Sequence, residues 1–149
     1  MKRLSRNDIE TISEKFVKAY FELPEIKKSQ VYRIEPELML EKVLGLTIEY
    51  MHLSYDGSIL GMTSFGELGV QVFENNDDEA FFFLDGKTVL VESDLNYDNN
   101  LKGRKNFTLM HEGTATLFFC VDRVVLVKKE KLAKNLVYPY SHNKNACYT

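Results

Sequence analysis

Apolar positions recur every three or four residues near the start of the chain and every second residue from Leu46 onward. Ile9, Ile12, Phe16, Tyr20 and Leu23 follow the first rhythm, and Asn7 with Glu10 forms a capping-box-like pair ahead of them. This spacing predicts an amphipathic helix over Asn7–Leu23, with Pro24 as its stop. A second helix is expected from Pro36, suited to a first helical turn, to Leu44, with Gly45 closing it. Leu40, Val43 and Leu44 form its inner edge.

The alternation Leu46, Ile48, Tyr50 against Thr47, Glu49, Met51 reads as a half-buried strand. Asp56-Gly57 is a hairpin signal, with Ile59–Phe65 as the returning strand. Val70–Phe73, Ala80–Leu84 and Thr88–Glu92 follow as further strands of a meander. The polar run Ser93–Gly103 reads as a loop before a helix over Arg104–Phe119, and Val121–Val127 as a β-branched run before a basic, irregular tail. Helices, then strands, then a helix predict an α+β domain spanning 1–149.

Composition narrows the setting. With 149 residues, 44% of them hydrophobic, the chain has the material for one folded core and is not disordered as a whole. A net charge of −3 argues against a dedicated nucleic-acid binder. Residues 1–34 carry one expected helix and a local balance of +3, too little for a recognition helix with phosphate contacts. The middle, residues 35–103, holds 14 Asp/Glu against 3 Lys/Arg, and the last part, 104–149, holds 8 Lys/Arg against 3 Asp/Glu. That split is expected to be a solvated surface, or else a docking face for a basic partner. Two cysteines, Cys120 and Cys147, suit a reducing compartment. Neither a membrane span nor the apolar core of a signal peptide is seen, so the expected location is the cytoplasm.

Three histidines are available: His52, His111 and His142. His52 ends a strand and reads as structural, and His142 lies in the polar tail. His111 stands next to Glu112 on the expected Arg104–Phe119 helix. A zinc protease helix needs a second histidine four residues on, because residues at that spacing are separated by only about 40° around the axis. Here that position is Ala115, and Thr114 and Thr116 do not replace an imidazole.

The segment Phe107–Gly113, FTLMHEG, with Arg104 three residues before it, resembles the active-site helix of the ImmA/IrrE-type zinc metallopeptidases. The Pro36–Gly45 helix, the stretch GLTIEYMHLSYDGSILGMTSF and the strand VLVESDL precede it in the order of that family's N-terminal half. The resemblance covers about residues 30–119, and Ala146-Cys147 is similar to a short Ala-Cys segment found later in such proteins. It implies a zincin-like fold, a zinc cofactor and cleavage or control of a protein target such as a helix-turn-helix repressor of a mobile element or stress regulon. It further implies His111 as first zinc ligand, Glu112 as general base, and Phe107 and Leu109 as residues packing the helix under the sheet. Tyr138, Tyr140 and His142 match nothing in it.

The departures bear on activity. Ala115 occupies the second-ligand position, and no later helix offers the family's acidic third ligand. Lys129–Lys134 is the only later stretch of helical character, with Glu130 its only acid, so the chain is expected to stop about one helix short of closing a metal site. Zinc sites use three or four protein ligands, and without the metal a water beside Glu112 keeps nearly its bulk acidity. The expectation is a peptidase-like chain that is inactive as written and binds zinc weakly or not at all. The alternatives are a pseudopeptidase module that binds a regulatory protein without cutting it, and a decayed fragment.

Overall fold

The computed structural model describes residues 4–30, 32–74 and 78–124, with the backbone alone over 119–124. Helix α1 runs Arg6–Phe21. Its cap is Ser5 paired with Asp8, two residues ahead of Asn7 and Glu10: the Asp8 N–H donates to Ser5 Oγ at 3.2 Å, and the Ser5 N–H donates to Asp8 Oδ2 at 2.9 Å. The short serine hydroxyl satisfies a free N–H of the first turn, so the helix begins one residue early. Pro24 does not merely end this helix. It opens a second one, α2 (Pro24–Ser29), because its missing N–H costs nothing at a first helical position.

Helix α3 spans Pro36–Lys42, and Gly45, at φ +66°, takes the left-handed turn that leads into the sheet. Tyr20, fully buried, ties α1 to the approach to α3. Its hydroxyl accepts the Glu35 N–H at 3.0 Å and donates to the Arg33 carbonyl at 3.3 Å.

Strands β1 (Thr47–Met51), β2 (Gly61–Thr63) and β5 (Thr88–Glu92) form one sheet in the order β1-β5-β2. Strands β3 (Glu67–Glu74) and β4 (Asp78–Asp85) form a separate antiparallel pair. The expected hairpin between β1 and β2 is therefore corrected. Asp56-Gly57 does turn, with Gly57 at φ +69°, but β5 inserts between the two strands, parallel to β1 and antiparallel to β2. The physical reason is that every residue of β5 is buried, so it demands a neighbour on each side and cover on both faces.

The two faces of β5 feed two cores. Val89 and Val91 pack with Tyr20, Met39, Leu40 and Leu109 of the helices. Leu90 turns the other way, onto Leu53, Val72 and Leu84 beneath the β3–β4 pair.

After β5 the expected loop contains helix α4 (Asp94–Tyr97) and a 3₁₀ turn (Asn99–Leu101), and α5 runs Lys102–Val124. Val121–Val124, read as the start of a β-branched run, belong to α5, since β propensity is a weak and context-dependent preference. Residues 125–149, with Glu130, Tyr138, Tyr140, His142 and Cys147, lie outside the described residues. The α+β class stands, as helices with a small mixed sheet. Among the described residues no helix is long and apolar enough to cross a membrane.

Candidate functional site

Helix α5 carries the His-Glu pair, and its position is fixed from both ends of the described core. Near its start, the Lys105 ammonium, mostly buried, donates to Glu37 Oε1 at 3.0 Å and to Asn96 Oδ1 at 3.2 Å. Tyr50 donates its hydroxyl to the same Glu37 oxygen, so α3, β1 and α5 meet at one carboxylate and α4 joins them through Lys105. Burial comes first in pulling on Glu37 and would raise its pKa, but the bonds from Tyr50 and Lys105 outweigh it and hold the carboxyl below its usual range. Further along, Thr108, Leu109, Gly113, Thr116 and Leu117 form the buried stripe at helical spacing. Gly113 lets the helix lie on α3, since a Cβ there would stand 2.8 Å from Leu40 Cγ and Cδ1.

The threonines on this stripe satisfy their own hydroxyls. Thr108 Oγ1 donates to the Arg104 carbonyl at 3.0 Å and Thr116 Oγ1 to the Glu112 carbonyl at 3.1 Å. Thr116 also meets Thr63 of β2, hydroxyl to hydroxyl at 3.3 Å. Polar side chains can therefore face the sheet without leaving a buried polar atom unpaired, and among the described residues no such atom is found.

Glu112 sits in the crevice between α5 and β2. A Cβ on Gly61 would stand 2.8 Å from Glu112 Cγ, 3.1 Å from its Oε1 and 2.7 Å from Thr108 Cγ2. Only a glycine in the strand lets this carboxylate lie so close to the backbone. Burial pushes the Glu112 carboxyl above the ordinary glutamate range, and the neighbouring His111 charge opposes that shift in part. A carboxyl so placed is a better proton acceptor than a free glutamate once ionised.

His111 is exposed, its ring stacked on that of Phe107 at 6.1 Å between centroids and 15° between planes. Phe107 itself is 72% exposed, which corrects the expectation that it packs the helix under the sheet. Leu109, fully buried, does so. Residues two positions apart in a helix lie about 200° apart around its axis, so Phe107 and Leu109 cannot share a face.

The residues present do not fit a zinc ion at His111. Ala115 follows one turn on, half-buried, with only a methyl group to offer. Among the described residues, the group of three potential donors within reach of one another does not include His111 or Glu112; it is His52, Glu92 and Asp94. Sequence reasoning took His52 alone and missed both carboxylates. Their cue was Glu92 itself, an acid at the end of an otherwise apolar buried strand.

That second group gathers at the ends of β1 and β5. Gly61 and Thr63 pair with Val91 and Val89, on the helix face. Glu92 follows Val91 and so shares the face of Leu90. No family model, curated protein or solved structure matches the chain.

Proposed function

We propose that this chain is a metallopeptidase-like protein of the ImmA/IrrE type that holds a protein segment without hydrolysing it. The observation that carries the reading is the seating of Glu112 against Gly61, on a short outer strand with one side unpaired in its sheet, while Ala115 stands where a second zinc ligand would be needed. A zincin-like arrangement, with a His-Glu helix alongside an antiparallel outer strand, is supported by α5 and β2. An extended segment added along β2 would bond through its main chain and pass Glu112 and the exposed Phe107–His111 pair. The acidic middle of the chain favours a basic segment, and a cytoplasmic helix-turn-helix repressor is the partner class the motif suggests.

The reading implies binding without turnover. Hydrogen exchange over residues 59–65 is measured with the protein alone and with a panel of extended, Lys/Arg-rich peptides, and the peptides are then examined for cleavage by mass spectrometry. Slowed exchange with intact peptides is the expected result. Cleavage would make the chain an enzyme, and unchanged exchange with every peptide would remove β2 as a docking strand. In parallel, Ala115→His is expected to increase zinc uptake in a manner that depends on His111.

A further inference from the structure

The cluster where β1 and β5 end has a chemistry of its own. His52 follows β1, Glu92 ends β5 and Asp94 opens α4, so all three gather where two parallel strands terminate side by side. Glu92 is 3% exposed, an unusual location for a carboxylate unless it is firmly held. Its Oε2 accepts the Leu53 N–H at 2.9 Å, which leaves Oε1 aimed at His52 Nδ1, 2.8 Å away. The Asp94 N–H approaches the same Oε1 at 3.5 Å. The main chain beneath is locked as well. The Phe73 N–H donates to the His52 carbonyl at 2.9 Å and the Ser93 N–H to the Met51 carbonyl at 3.0 Å.

One nitrogen and two carboxylate oxygens thus lie within 4.8 Å of one another. Donors around a zinc-sized ion, each at about 2.0–2.2 Å, are separated by roughly 3–4 Å. The rearrangement needed is therefore small: His52 Nδ1 and Glu92 Oε1, now 2.8 Å apart, part slightly and Asp94 draws in. The movement falls on the exposed Asp94 and the half-exposed His52 and not on the anchored Glu92. We propose that His52, Glu92 and Asp94 form a binding site for a divalent first-row metal ion. The ion replaces the proton shared between His52 Nδ1 and Glu92 Oε1, and the imidazole binds as its Nε2–H tautomer. Two carboxylates balance the dication, the mixed nitrogen–oxygen set suits zinc or cobalt, and the remaining positions are open to water. The bond from Leu53 to Glu92 Oε2 is the outer-shell contact that orients the buried ligand.

The test uses the untagged full chain, stripped with chelator and titrated with Zn²⁺ by calorimetry and with Co²⁺ by visible absorption. The expected result is one ion per chain, unaffected by His111→Ala and weakened about tenfold or more by His52→Gln and by Asp94→Asn. Asp94 is exposed, so its variant separates lost binding from lost folding, and circular dichroism checks both variants. Glu92 is left in place because Leu53 depends on it. Absence of binding overturns the proposal. So does binding that survives either the His52 or the Asp94 change, or binding that disappears with His111→Ala.

Discussion

Gly61→Ala probes the contact on which the candidate site depends. The new methyl carbon would lie 2.7 Å from Thr108 Cγ2 and 2.8 Å from Glu112 Cγ, where carbon atoms normally rest at about 3.5–4.0 Å. Neither neighbour yields easily. Thr108 is β-branched and buried, with its hydroxyl bonded to the Arg104 carbonyl, and the Glu112 atom is in mid-chain, not at its tip. Overpacking of this kind costs about 1–3 kcal/mol. Against it stands the gain of about 0.5–1 kcal/mol expected when alanine replaces glycine in a strand. The net effect is a destabilisation of up to about 2.5 kcal/mol.

The chain has no tryptophan, so urea unfolding is best followed by far-ultraviolet circular dichroism. A lowered midpoint at unchanged slope reads the loss directly. Thr108→Ser removes the clashing methyl and keeps the hydroxyl. In the double variant part of the loss is therefore recovered, with a coupling of about 0.5 kcal/mol or more. A Gly61→Ala protein as stable as the parent, or more stable, would refute the claim that β2 and α5 are held this close.

Three further expectations follow from the same structure. Burial raises the native pKa of Glu112 above the ordinary 4.5, so the stability linked to its proton is complete below that value and is lost as pH rises through the raised one. Glu112→Gln removes that loss, and the variant should be the more stable at neutral pH, with the difference closing below 4.5; a difference that grows on acidification would refute burial as the cause. Leu109→Ala should cost about 2–5 kcal/mol in thermal or urea unfolding and Phe107→Ala less than about 0.5 kcal/mol, and similar losses would contradict their placement on opposite sides of α5. Burial, aided by the bond to Glu37, raises the Tyr50 phenol far above its ordinary 10.0. An ultraviolet titration should show one tyrosine ionising later than the rest, and Glu37→Gln should move it toward them; no movement would show that Glu37 contributes nothing.

What could be read from the sequence was what neighbouring residues decide together. The Leu40, Val43, Leu44 edge is buried as the periodicity implied, and Thr88–Glu92 has the predicted bounds. The partner of a strand is a different matter. Local alternation in Leu46–Met51 and the turn at Asp56-Gly57 pointed to a hairpin, because sequence proximity is the only pairing signal available at that range. The β1–β5 pairing joins Thr47 to Thr88, and only the unbroken burial of Val89, Leu90 and Val91 hints that this strand is central. Phe107 was misplaced for a simpler reason. Its packing role was implied by the resemblance together with that of Leu109, yet the offset of two between them already forbade a shared face.

The candidate site divides along the same line. His111, Glu112 and the missing donor at Ala115 are adjacent in the chain and visible there, whereas Gly61 beneath Glu112 and Glu92 beside His52 come from distant segments. That division changes how any metal measurement must be read. His52 and His111 belong to separate donor sets, the first at the ends of β1 and β5 and the second on α5. Zinc bound by the parent protein is therefore not evidence for a peptidase centre, since the better donor set is the one without the His-Glu helix. The informative quantity is a difference. Zinc gained by Ala115→His and lost again on adding His111→Ala reports the helix site, while zinc lost on His52→Gln in an otherwise unchanged chain reports the other. Either set can fail without touching the other, because no described side chain belongs to both.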